Sequence, residues 1–159
     1  MKDEPPIGWR EWIALPDLGV EHLKVKIDTG ARSSALHVEN LQVETRDGIE
    51  WATFSVRPAR ADEDSPIPCE AEIIEYRTVT DSGGHKQQRP FIKTLARLGD
   101  VEWEILVSLT TRENMLFPML LGRTAMAGVF QIDPSLSYTR GRFRTHETAS
   151  DAEQEEVEA

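Results

Sequence analysis

The stretch LKVKIDTGARSSALHV, residues 23–38, begins as a strand and breaks off at an acidic residue. Apolar and polar residues alternate from position 23 to 27, which predicts a strand with one buried face. Asp28 follows directly, although aspartate is depleted in strands. An acidic side chain in this position is either a turn former or a functional group. Asp28, Thr29 and Gly30 also fit a simple Asx-type turn in which the glycine takes a positive φ.

A second segment, MLLGRTAMAG at residues 119–128, contains an apolar strand, a glycine, an arginine and a short helical stretch. It lies roughly 90 residues after Asp28. The two segments in this order resemble the active-site loop and the C-terminal strand of pepsin-like and retroviral aspartic proteases. In those enzymes the strand crosses behind the catalytic loop, and the glycine lets the two backbones approach closely.

The resemblance extends to a more specific family. The segments KIDTGARSSALHV, RPFIKT, VSLTTRENMLFPMLLGRTAM and QIDPSLSY are similar to small bacterial retropepsin-like proteins often labelled "ATP-dependent zinc protease". The similarity covers roughly residues 7–140. Members of this family are associated with ATP-grasp ligases that append glutamates, so the resemblance implies such a ligase as a candidate partner. The chain has neither a zinc-binding motif nor an ATP-binding loop, and we predict no cofactor and no metal.

The rest of the chain also reads as strands joined by tight turns, for example at Arg46-Asp47-Gly48 and at Gly99-Asp100. This spacing predicts an all-β protein. With the resemblance, we expect a closed β-barrel of the retropepsin (acid protease) type over residues 1–146, with one short helix at RTAMAG.

Charge and composition exclude several classes of function. The net charge is −10, and the segment 147–159 holds six acidic residues and no basic one, which leaves −4 on residues 1–146. We expect that acidic tail to be disordered. An acidic chain without a basic stripe is a poor nucleic-acid binder. The sequence contains no run of about 18 apolar residues, so it predicts no membrane helix. No secretory signal precedes the first strand, and we therefore expect a cytoplasmic protein. Cys69 is the single cysteine, which excludes an internal disulfide.

The resemblance implies a mechanism with two carboxylates, although the chain carries one Asp-Thr-Gly triplet. We therefore expect a homodimer that hydrolyses a peptide or protein substrate, in which Asp28 of each subunit shares one water with its symmetry mate. The implied site residues are the catalytic Asp28, Thr29 and Gly30, the substrate-binding Ala31 and Arg32, and the loop-supporting Leu120, Leu121, Gly122 and Arg123.

Asp81-Ser82-Gly83 spells a second active-site triplet of pepsin-like enzymes, but no apolar strand precedes it. Its turn residues favour the tip of a β-hairpin. We interpret this hairpin as a flap that closes over substrate, with Ser82, Gly83 and Gly84 in contact with the peptide.

Other interpretations remain open from the sequence. Arg32 replaces the acidic residue that retroviral enzymes usually have after Asp-Thr-Gly-Ala; it is either solvated or attracts acidic substrates. Arg123 forms either a pair with a nearby acidic group or a plain surface salt bridge. The whole domain is alternatively a catalytically inactive binding module, in which Asp28 only stabilises its turn. A metallopeptidase, as the family label suggests, has no support among the residues.

Overall fold

A computed structural model describes residues 5–58, 66–80, 83–111 and 116–141. The predicted acidic tail at 147–159 and the predicted flap residue Ser82 lie outside the described residues. Within the described ranges, no helix has the length and apolar character needed to cross a membrane.

The described structure contains ten strands, one short α-helix and one turn of 3-10 helix at Pro16–Leu18. The strands are β1 (Arg10–Leu15), β2 (Val20–Asp28), β3 (Ser34–His37), β4 (Glu39–Arg46), β5 (Ile49–Val56), β6 (Ile67–Glu72), β7 (Glu75–Thr80), β8 (Lys86–Leu98), β9 (Val101–Thr110) and β10 (Met119–Gly122). The helix α1 spans Arg123–Met126, as the segment RTAMAG predicts.

Seven strands form one sheet in the order β1-β2-β10-β3-β9-β8-β7, and a pairing between β1 and β8 closes six of them into a barrel. The alternation predicted for β2 is present, since Leu23, Val25 and Ile27 point into the core. The predicted all-β closed barrel is therefore confirmed. Burial of such alternating apolar side chains is the main force that holds a barrel of this size together.

Strand β10 lies between β2 and β3, although β2 and β3 are consecutive in the chain. It runs parallel to β2, with Leu121 opposite Ile27 and Gly122 opposite Asp28. It runs antiparallel to β3, with Leu120 opposite Ala35. The segment 119–122 therefore passes directly beside the end of β2, which positions Gly122 next to Asp28.

A second sheet of three strands, β4-β5-β6, is inserted between β3 and β7. The runs ALHVENLQVET and CEAEIIEYRTVT read as continuous in the sequence, but each divides into two strands in the structure. The second run changes sheets between neighbouring residues: Ile73 N–H donates to the carbonyl of Glu50, and Ile74 N–H to that of Phe91. Continuous β-propensity does not reveal which sheet a residue pairs with, so the sequence does not indicate the break.

Candidate active site

Asp28 lies half-buried at the C-terminal end of β2, where the chain turns away from the sheet. Its Oδ1 accepts hydrogen bonds from the N–H groups of Gly30 (3.0 Å) and Ala31 (3.2 Å). Among the described residues, none donates a hydrogen bond to Oδ2. The carboxylate is therefore fixed through one oxygen, while the other is available to a water molecule or a substrate.

Gly30 leaves room for this arrangement. A Cβ atom built at that residue would lie 3.3 Å from Oδ1 of Asp28, which is closer than nine in ten real Cβ contacts. Thr29 and Gly30 are both exposed in the single chain. The acidic turn thus presents its outer surface to solvent.

The inner side of the same loop is locked against β10. The N–H of Gly122 donates to Oγ of Ser34 (2.9 Å), and Oγ of Ser108 donates to the carbonyl of Ser34 (3.1 Å). Ser34 is fully buried, so these bonds are shielded from water. A Cβ at Gly122 would come within 2.5 Å of the carbonyl carbon of Ser33, and only glycine permits this approach of the two backbones.

The first turn after β10 holds the loop from its far end. The N–H of Arg123 donates to the carbonyl of Ala31 (2.8 Å), and Thr124 donates to the carbonyl of Arg32 through both its N–H (3.1 Å) and its hydroxyl (2.9 Å). Nη1 of Arg123 also donates to the carbonyl of Thr29 (3.0 Å). A backbone carbonyl therefore takes the place of the acidic partner considered for Arg123.

The structure brings most of the predicted site residues together. Residues 28–32 and 122–123 form one hydrogen-bonded unit. Leu121 packs in the core beneath it, whereas Leu120 is half-buried on the opposite face of β10. Arg32 is exposed at the edge of the loop.

Gly83 and Gly84 lie in the turn that joins β7 and β8. The hairpin itself is present, with Thr80 opposite Lys86. In the closed barrel, β7 and β2 are separated by β8 and β1 in one direction and by four strands in the other, so the hairpin glycines are not on a strand that adjoins Asp28. Their action as a flap stays a prediction.

Sequence reasoning missed several buried polar groups. Glu11 is fully buried and accepts hydrogen bonds from the N–H of Gly8 (2.7 Å) and from both the N–H (2.8 Å) and the hydroxyl (2.7 Å) of Thr139. These hydrogen bonds connect the N-terminal and C-terminal parts of the described chain, and none of them involves the Asp28 loop. Ser34 belongs to the quoted stretch, but no sequence signal distinguishes its role from that of Ser33.

The part of the chain that the structure describes brings no three histidine, cysteine, aspartate or glutamate side chains together in a group that would hold a metal ion. A cleft of about 520 Å³ lies on the inserted sheet, with Gln42, Thr53, Pro68 and Cys69 among its lining residues. None of its lining residues belongs to the Asp28 loop. That loop lies on the surface of the chain, with Thr29, Gly30 and Arg32 exposed.

A closed barrel, a strand crossing behind an Asp-Thr-Gly loop and one helical turn after that strand define a retropepsin-type protein. The chain belongs to the RimB-like family, whose model, described as retropepsin-like aspartic endopeptidase RimB, matches residues 6–143. The predicted retropepsin-like family is therefore confirmed.

Curated relatives carry a different name. A protein of Desulfotalea psychrophila named "Probable alpha-L-glutamate ligase" is 38% identical over 135 residues, which cover 85% of this chain and 29% of the relative. A protein of Shewanella pealeana with the same name is 36% identical over 135 residues, 85% of this chain and 30% of the relative. The chain thus spans less than a third of the length of these relatives.

A solved structure has the same fold. The crystal structure of Lpg0085, a protein of unknown function from Legionella pneumophila, is 30% identical, with a TM-score of 0.70. The match covers 84% of this chain and 96% of that one.

Proposed function

We propose that the protein is an aspartic endopeptidase of the cytoplasm whose active form is a homodimer. The observation that carries the proposal is the hydrogen bonding of the half-buried Asp28: two backbone N–H groups fix one carboxylate oxygen, and no described residue donates to the other. A twofold axis beside the exposed Thr29 would bring a second copy of the same carboxylate opposite the first.

The chemistry follows from that pairing. Like charges about 3 Å apart do not both ionise easily, so the two carboxyls share one proton. The ionised carboxylate takes a proton from the bound water as its oxygen attacks the peptide carbonyl carbon, and the protonated carboxyl donates to the carbonyl oxygen. Collapse of the tetrahedral intermediate then breaks the C–N bond, and the leaving nitrogen receives the proton.

Each loop residue has a role in this scheme. Thr29 joins the two loops across the dimer axis, and Gly30 provides an N–H group for the carboxylate. Ala31 and Arg32 contact substrate where the loop is clamped by Arg123. The β7–β8 turn at Gly83 and Gly84 closes over the peptide as a flap.

Acidic peptides are the substrate class that we favour. The curated relatives are named as glutamate ligases, whose products carry added carboxylates. Arg32 is exposed beside Asp28 and would attract such a peptide. The variant Arg32→Ala removes this cation, so the turnover of acidic peptides should become more similar to that of neutral peptides. If the preference for acidic peptides is unchanged in this variant, Arg32 does not attract the substrate.

The variant Asp28→Asn tests the proposal. Asparagine keeps the shape and the Oδ1 acceptor but cannot exchange a proton with water, so hydrolysis of a peptide library should fall by at least about 100-fold. Asp17→Asn, at the exposed turn before β2, is the matched control and should retain full activity. Equal hydrolysis by wild type and Asp28→Asn would exclude the mechanism.

A catalytically inactive binding module is the second candidate. It is favoured by one observation: proteins named as glutamate ligases contain a segment similar to this chain within 29–30% of their length. In that case the domain binds an ATP-grasp ligase, and its Asp28 only stabilises the turn. A strict monomer that cleaves no peptide at acid or neutral pH but binds such a ligase with micromolar affinity would favour the module.

A further inference from the structure

The face of β2 that points away from the core carries the carboxylate of Asp28 at its C-terminal end. Leu23, Val25 and Ile27 point into the core, so the residues between them point away from it together with Asp28. Lys26 is therefore on the same face as Asp28, two residues or about 7 Å back along the strand. Its side chain is exposed, and it forms no ion pair or hydrogen bond with a described residue.

A second cation lies directly across the strand pair. Arg10 is the register partner of Lys26 in the antiparallel pairing of β1 and β2. It is only 7% exposed, with its guanidinium 4.6 Å from the ring of Trp9 and 4.8 Å from the ring of Tyr138. Its Nε and Nη2 are buried and have no hydrogen-bond partner among the described residues.

This arrangement is unfavourable by itself. Like charges directly opposite each other on one face of a sheet destabilise it. A buried cation also loses hydration, and contacts with two aromatic faces replace only part of that loss. Buried donors without acceptors are uncommon in native proteins and call for an explanation.

Among the described residues that pair beside Lys26 and Arg10, none supplies a carboxylate that would offset the two cations. Lys24, one step further back, lies opposite Trp12 with its ammonium 5.6 Å from the ring. On the other side of β2, Leu120 is opposite Lys26. Strand β2 contains two acidic residues, of which Asp28 is on this face and Glu21 lies at the other end of the strand.

We propose that Lys26 is the residue that determines specificity for an acidic side chain next to the scissile bond, and that Arg10, opposite it, adds to the positive charge of this face. A peptide held with its carbonyl carbon at Asp28 would place the side chain of an adjacent residue within reach of a lysine two positions back on the same face. The side-chain carboxylate of a substrate glutamate or aspartate then pairs with the exposed ammonium group of Lys26, and the buried positive charge of Arg10 adds to the attraction. The inference rests on the proposed peptidase function and goes beyond it by assigning the subsite to β2 as well as to the loop.

The test compares two amidated peptides that differ only in having glutamate or glutamine on both sides of the scissile bond. We expect Lys26→Gln to reduce the ratio of kcat/KM for the glutamate peptide over the glutamine peptide by about tenfold or more, because a charge-assisted hydrogen bond is lost. Lys26→Arg keeps the positive charge, so the ratio of this variant should stay near the wild-type value. Lys93→Gln, which changes an exposed lysine on β8, is the matched control and should leave the ratio at the wild-type value.

A binding measurement separates this inference from the function on which it rests. Calorimetry with the Asp28→Asn protein should give at least about tenfold weaker binding of the glutamate peptide when Lys26→Gln is added. If wild type hydrolyses neither peptide but this difference in binding is found, the peptidase proposal fails and the acidic subsite stands. An unchanged ratio and unchanged binding in Lys26→Gln would overturn the subsite, whatever the activity of the enzyme.

Discussion

Two regions of the molecule are stabilised by different kinds of contact. One is the crossing of β10 beside Asp28, and the other is the inserted sheet β4–β6. At the crossing, Ser34, Ser108 and Gly122 are buried and joined by hydrogen bonds between segments that are more than 70 residues apart. In the inserted sheet, the half-buried Arg46 pairs with the exposed Glu44 and Glu70.

The difference separates the part of the molecule that holds the Asp28 loop from the part that does not contact it. Exposed ion pairs contribute little to stability and tolerate replacement. Buried hydrogen bonds and backbone contacts allow no such adjustment, because a lost partner leaves an unsatisfied group. We therefore expect the fixed geometry of the Asp28 loop to come from the crossing, and substitutions in the two regions should have different consequences.

Gly122→Ala should have the largest effect. Its Cβ would meet the backbone of Ser33 at 2.5 Å, so either the loop or β10 must shift. We expect a loss of about 1–3 kcal/mol in the free energy of unfolding, measured by denaturant titration, together with a large loss of peptidase activity in the remaining folded protein.

Gly48→Ala is the matched substitution in the inserted sheet. Gly48 has a positive φ of 81°, so alanine should cost about 1–2 kcal/mol there through backbone strain. Activity per folded molecule should not change. If both variants lost activity equally, the distinction between the two regions would be wrong.

Ser34→Ala should have a smaller effect at the same crossing. It removes the acceptor of the Gly122 N–H and leaves a buried donor unsatisfied, a loss of about 1–3 kcal/mol. Ser108→Ala removes a donor to a carbonyl and orphans no N–H group, so it should cost less. Thermal unfolding of the two variants checks the order, and a reversed order would contradict the assignment of Ser34 as the central contact.

The smallest effect is expected at Cys69, in β6 of the inserted sheet. Burial raises the pKa of its thiol to about 11. The unfolded thiol ionises at lower pH, so its contribution to stability is complete below about pH 9 and is lost as the pH rises towards 11. Iodoacetamide should therefore modify this half-buried thiol more slowly in the native protein than in the unfolded chain at pH 8; equal rates would contradict the raised pKa.

The sequence predicted those features of the fold that rest on local patterns. Alternation identified β2, the Asp-Thr-Gly triplet located the loop at its end, and the apolar run before Gly122 identified the crossing strand. The division of the second run at Ile73 was not predictable, because strand residues pair with whichever sheet they meet in three dimensions.

The contacts of the candidate site were harder to predict from the sequence for a similar reason. Ser34 and Ser33 are indistinguishable in the sequence, yet only the side chain of Ser34 accepts the Gly122 N–H. The partner of Arg123 is a backbone carbonyl, which has no sequence signal. Lys26 was predictable in principle, since the two-residue period of β2 places it on the face of Asp28, whereas the buried Arg10 opposite it depends on the register of the two strands.

The most direct measurement of the central claim is the peptidase activity of mixed dimers. Wild-type chains and Asp28→Asn chains are co-expressed at known ratios, with native mass spectrometry to count the dimer species. If two chains build one active site, activity should follow the square of the wild-type fraction, so that an equal mixture retains about a quarter of full activity. Activity in direct proportion to the wild-type fraction would mean that each chain hydrolyses peptides alone, and the shared site would be excluded.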